Sequence, residues 1–95
     1  MTGVSWSDEA IADLEAIDDY WACHSEARAE QVIERIERAA AFLATMPHAG
    51  PALDRSVACK WRVIQTMYIL IYRIIDNRID VLRVHHARED WRVEP

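Results

Sequence analysis

The densest set of chemistry-bearing side chains in this 95-residue chain is Arg83, His85, His86 and Arg88, all within six positions. Imidazoles titrate near neutrality and can take or give a proton, and guanidinium groups grip phosphate oxygens. Together they make a candidate acid/base site for phosphoryl chemistry. The structural alternative places His86 at the end of a strand, bonding to backbone, with His85 exposed on the other side. A second set, Arg62, Arg73, Arg83, Arg88 and Trp91, needs no reaction. Arginine and tryptophan are the types that anchor protein interfaces once desolvated. Three of them also have a plainer use: Arg73 pairing with an acidic residue of a helix, Arg62 as a solvated edge charge, Trp91 folded over Trp61. Cys23 and Cys59 lie far apart and form neither a metal knuckle nor a disulfide framework, so they read as reduced, buried thiols. None of His24, His48, His85 and His86 has a second ligand at helical spacing. No metal and no cofactor is expected.

Charge is divided along the chain. Residues 1–54 carry 3 Arg against 11 Asp and Glu, a balance of −8; residues 55–95 carry 7 Arg and 1 Lys against 5 acids, a balance of +3. A uniformly basic nucleic-acid binder does not have a net charge of −5. The basic half can still present a local surface to an acidic partner. With 52% hydrophobic and 28% charged residues, 2 Gly and 3 Pro, the composition is that of a packed domain, and the length fits one, spanning 1–95. No apolar run approaches the about 20 residues of a membrane span. The N-terminus has neither basic patch nor apolar signal core, so a cytoplasmic location is expected.

The elements that position these residues follow from periodicity. Val4–Trp6 alternates as a short edge strand. Ser7 caps a helix that runs from about Asp8 to Cys23, with Asp8 and Glu9 at the positive end of the dipole. Ile11, Leu14, Ile17 and Trp21 form its apolar face, and Asp13, Glu15, Asp18 and Asp19 face water. Ser25 caps a second helix with the stripe Ala29, Val32, Ile33, Ile36, Ala40 and Leu43; it ends near Met46, ahead of Pro47. A link of two or three residues makes the pair a helical hairpin. Trp6, Trp21 and Trp61 are core candidates. After Pro51 the period falls to two. Val57–Ile64 reads as a strand with one polar face, Met67–Ile75 as a central strand and Ile79–His85 as the returning strand. A three-residue turn, Asp76-Asn77-Arg78, sets Ile75 against Ile79, Arg73 against Val81 and Ile71 against Arg83. One face then carries Arg73, Arg83 and His85; the other carries Tyr68, Leu70, Tyr72 and Ile74 with Leu82, Val84 and His86. The expected architecture is α+β: an N-terminal strand, an antiparallel helical hairpin, then a three-stranded antiparallel meander (β-α-α-β-β-β), the hairpin covering one face of the sheet.

With these elements in place, the chain resembles the ParE branch of the RelE/ParE toxin superfamily. Ala10-Ile11-Ala12-Asp13-Leu14-Glu15-Ala16-Ile17 is similar to that family's opening "A-x-x-D-L-x-x-I" helix. Leu43 to Gly50 is similar to its "L-x-x-x-P-x-x-G" elbow, Tyr68 to Arg73 to its "Y-x-I-x-Y-R" strand, and Val81 to Trp91 to its terminal "I-L-R-V-x-H-x-R-x-D-W". The resemblance covers nearly the whole chain. It implies the toxin of a type II toxin–antitoxin pair, neutralised by a small ParD-like or similar antitoxin. ParE-like members poison DNA gyrase by binding it; RelE-like members cut mRNA on the ribosome.

The two targets call for different residues. RelE-like nucleases carry an Arg directly after the first Tyr of the central strand, where this chain has Ile69. They use several Lys before that strand, where this chain has only Lys60, and a Tyr near the C-terminus, where none follows Tyr72. Arg83, His85, His86 and Arg88 remain as the catalytic candidates if the chain is a ribonuclease. The reading that follows is a gyrase-binding toxin without enzymatic activity, using Arg62, Arg73, Arg83, Arg88 and Trp91. No membrane contact and no sequence-specific nucleic-acid binding by the toxin alone are expected. The alternatives are a RelE-like ribosome-dependent endoribonuclease, or a decayed toxin that only binds its antitoxin.

Overall fold

Six elements form in the computed structural model, which describes residues 3–52 and 58–87: β1 (Val4–Trp6), α1 (Asp8–Ala22), α2 (Glu26–Thr45), β2 (Cys59–Arg62), β3 (Tyr68–Ile75) and β4 (Arg78–His86). The helices are capped as their sequences require. The Ser7 and Ser25 hydroxyls accept the N–H groups of Ala10 and Arg28, and α2 stops at Met46, one residue before Pro47. Only residues 23–25 separate the helices, so α1 and α2 fold back on each other.

The sheet order is β1-β4-β3-β2. The meander β2-β3-β4 is antiparallel as expected. β1 instead runs parallel to β4, pairing Val4 with Ile79 and Trp6 with Val81, which makes the sheet mixed. Ser7 fixes the crossover from β1 into α1. Its N–H donates to the Val81 carbonyl (2.9 Å), and its hydroxyl donates to the Leu82 carbonyl (2.7 Å) while capping the helix. The helices cover one face of the sheet. Ile36 and Leu43 of α2 meet Leu70 and Tyr72 of β3 and Ile79 and Val81 of β4, all fully buried.

The β3–β4 register departs from expectation and corrects three assignments. The turn has two residues, Asp76 (φ 50°) and Asn77 (φ 61°), both left-handed as a type I′ hairpin demands. Ile75 therefore faces Arg78 and Arg73 faces Asp80. A bulge follows: Tyr72 pairs with Val81 but Ile71 pairs with Arg83, leaving Leu82 unpaired. The bulge restores the expected Ile71–Arg83 pair. It also switches the inward set of β4 to Ile79 and Val81, then Val84 and His86, and removes Leu82 from that face.

On α1 the buried residues are Ala10 and Ile17, with Leu14 and Trp21 partly buried against the core. Ile11 is 44% exposed. Only the first turn departs from the expected face: Ala10 is buried there in place of Ile11, where Ser7 ties the start of the helix to β4. The cysteines are not buried: Cys23 is exposed in the turn between the helices and Cys59 is half-buried. Trp6, Trp21 and Trp61 all pack against the core.

The elbow after α2 is held by Tyr72. Its hydroxyl donates to the Pro47 carbonyl and accepts the Gly50 N–H, both at 3.1 Å. A Cβ on Gly50 would collide with the Lys60 carbonyl and that hydroxyl. Glycine is required there for close approach, not for a special backbone angle.

Candidate partner-binding face

The face of the sheet turned away from the helices gathers the basic residues. Directly opposed residues on paired strands share a face, so the register writes out the surface. Lys60, Ile71 and Arg83 form one row across β2, β3 and β4; Arg62, Ile69 and His85 form the next. Each isoleucine thus lies between two basic side chains. Arg73 stands beside them, and its Nε donates to the Asp80 carboxylate at 3.1 Å. Of the expected binding residues, Arg62, Arg73 and Arg83 are exposed and on this one face. Arg88 and Trp91 lie outside the described residues. Arg73 pairs across the hairpin and not with a helix, because the two-residue turn brings Asp80 opposite it.

Arg83 is held by a residue that periodicity placed in water. Beyond Trp6 the chain leaves the sheet for α1, and β1 no longer covers the edge of β4. Asp13 takes its place. Its carboxylate accepts two bonds from Arg83, from Nε (2.8 Å) and a terminal nitrogen (3.1 Å), and a third from the Val84 N–H (2.9 Å). Burial alone would push this carboxyl up. The Arg83 and Val84 hydrogen bonds and the charges of Arg83 and His85 outweigh it and hold the group below its ordinary 3.8. The signal for this role was present: Asp13 lies three residues after Ala10 and four before Ile17, on the margin of the buried stripe.

The two imidazoles of the candidate acid/base set do not converge, and Arg88 lies outside the described residues. His85 pairs with Ile69 on the outer face, whereas His86 pairs with Tyr68 on the helix side, ring edge to face at 5.4 Å. The backbone of β4 separates the two imidazoles. The hydroxyls of Tyr68 and Tyr72 are engaged within the fold. The Tyr68 hydroxyl accepts the Trp21 indole N–H at 3.0 Å, and the Tyr72 hydroxyl is committed to the elbow, where burial pushes it above its ordinary 10.0. No group of three or more His, Cys, Asp or Glu suited to a metal exists among the described residues, and no helix among them is long and apolar enough to cross a membrane.

Residues 4–91 match the family described as the ParE toxin of the type II toxin–antitoxin system parDE. The chain belongs to the ParE toxin family. It is 31% identical over 87 residues to Toxin RelE2 of Caulobacter vibrioides, spanning 92% of this chain and 97% of that protein. Among solved structures it superposes on the chromosomal ParDE toxin–antitoxin system of P. aeruginosa with TM-score 0.78 at 20% identity, covering 90% of this chain and 96% of that one. The RelBE2 toxin–antitoxin complex of Mycobacterium tuberculosis gives 0.62 at 26% identity, with the same coverage. The protein is therefore a toxin of a type II toxin–antitoxin system with the RelE/ParE fold. The family's elbow and its central strand meet in one contact, the Tyr72 hydroxyl on Pro47 and Gly50.

Proposed function

We propose that this ParE-family toxin binds and poisons DNA gyrase through the basic outer face of its sheet, without nuclease activity, and that a cognate ParD-like antitoxin neutralises it. Gyrase as target rests on the likeness to ParE toxins. The absence of enzymatic activity is supported by one observation above others: His85 and His86 stand on opposite sides of β4, and Arg83 is engaged by Asp13. A transesterification at a 2′-hydroxyl needs base, acid and cations around one phosphate. The outer face supplies the cations and a single imidazole, with Ile69 at its centre. Arg62, Arg73 and Arg83 over an isoleucine floor instead have the make-up of an interface hot spot.

The RelE-like reading has two points in its favour: Lys60, Arg62, Arg83 and His85 share this face, and the relative at 31% identity is named RelE2. The decisive comparison is ribosome-dependent mRNA cleavage against gyrase inhibition, using purified protein. Cleavage of ribosome-bound mRNA that is lost in His85→Ala would overturn the proposal.

A further inference from the structure

We propose that Asp13 is a positioning residue for the target contact: its carboxylate fixes the Arg83 guanidinium at the β4 margin of the outer face before the target arrives. The inference rests on the reading of that face as the gyrase-binding surface, and it gives a residue of the helical layer a part in it. Three bonds converge on the carboxylate. The Arg83 Nε and a terminal nitrogen donate at 2.8 and 3.1 Å, and the Val84 N–H donates at 2.9 Å. The first two match the planar fork of a guanidinium, where a single contact would leave the group free to swing. The third ties the carboxylate to the backbone of the same strand. The helix beneath is equally fixed. Ala10, three residues earlier, is fully buried, and the Ser7 hydroxyl joins the start of α1 to the Leu82 carbonyl at 2.7 Å. Arg73 is the contrast on the same face: one bond of 3.1 Å holds it, to Asp80 of its own hairpin.

The pair does more for the arginine than for the fold. The Asp13 carboxylate satisfies the Val84 N–H with or without Arg83. The Arg83 side chain is 44% exposed, and an ion pair so open to water adds little stability. A long exposed side chain samples many rotamers, and ordering it in a complex costs affinity. An arginine ordered beforehand avoids that cost, a difference of about three- to tenfold in Kd. Charge argues the other way. Asp13 offsets one positive charge of a basic face, so on charge alone its loss would tighten the hold on an acidic target. Positioning predicts the opposite sign, so binding separates the two roles.

The test measures Kd of full-length toxin variants for purified gyrase, each variant first checked by thermal melting. Asp13→Ala, and Asp13→Asn with one acceptor oxygen where the fork needs two, are each expected to raise Kd by about three- to tenfold. In an Arg83→Ala background the same changes are expected to move Kd by no more than about twofold, because nothing is left to position. Val32→Ala, which loosens the core beneath α2, controls for lost stability alone and is expected to leave Kd within about twofold. NMR relaxation of the Arg83 Nε–H bond in free toxin reads the positioning without the target: ordered in the wild type, mobile in Asp13→Asn. Unchanged or tighter binding by both Asp13 variants would overturn the proposal. So would a loss of equal size in the Arg83→Ala background, or an Arg83 side chain as mobile in the wild type as in Asp13→Asn. Folded wild-type toxin with an ordered Arg83 that does not bind gyrase would remove the target reading, and the positioning role with it.

Discussion

Replacing Asp13 by alanine tests whether Arg83 is clamped. The carboxylate side chain is 17% exposed and its Arg83 partner 44%. Losing it strands the partly buried Val84 N–H, which costs about 1–1.5 kcal/mol, the lower end for an unsatisfied amide. Losing the pair with a half-exposed arginine costs about 0.5–1 kcal/mol. Alanine returns about 0.5 kcal/mol through its better helix propensity. The net expectation is a loss of about 1–2 kcal/mol in a urea melt, or about 4–8 °C of Tm for each kcal/mol in a domain of this size. Asp13→Asn keeps an acceptor for Val84 and removes only the charge, so it is expected to cost less, about 0.5–1 kcal/mol. The pH dependence follows from the sign of the shift. The folded-state pKa of Asp13 lies below 3.8, so its stabilisation is fully present above that value and is lost as pH falls through the lower folded-state value. The wild-type and alanine curves should run parallel near neutrality and converge only in strong acid. A cost of Asp13→Ala below about 0.3 kcal/mol at pH 7, or no coupling to Arg83→Ala in a double-mutant cycle, would refute the clamp and leave Arg83 available for catalysis.

Other perturbations read the remaining structure. Tyr72→Phe strands the Gly50 N–H and the Pro47 carbonyl and is expected to cost about 1–3 kcal/mol by chemical denaturation; Gly50→Ala should cost at least as much, since its Cβ meets backbone. Leu70→Ala, at a fully buried site, should lose about 2–5 kcal/mol in the same measurement. Asn77→Val should cost about 1–2 kcal/mol because a β-branched residue resists the left-handed region, whereas Asn77→Gly should hold or raise Tm.

The elements were legible because their signals are local. Ser7, Ser25 and Pro47 mark helix ends through one hydrogen bond or one steric clash each, and alternation from Cys59 to Val63 needs no knowledge of the partner strand. The misses in register and at the site were non-local. A two-residue turn and a bulge at Leu82 have compensating effects on register, so Ile71–Arg83 came out right while Arg73 was matched to the wrong residue. Asp13 was assigned to solvent because its partner lies 70 residues away and exists only where β1 ends. Phe42 escaped notice as a surface residue because a helical stripe says which residues are apolar and not which of them the sheet is wide enough to cover. The candidate site was legible in part for the same reason. Alternation put Arg73, Arg83 and His85 on one face, but Lys60 and Arg62 joined them only through the pairing of β2 with β3.

The most direct test of the central claim is a gyrase supercoiling and DNA-cleavage assay with purified toxin, alongside a variant reversed at Arg62, Arg73 and Arg83. Cleaved plasmid is expected to accumulate with the wild type, to disappear when cognate antitoxin is added, and to be absent with the triple variant. Unimpaired gyrase at stoichiometric excess of folded wild-type toxin would contradict it.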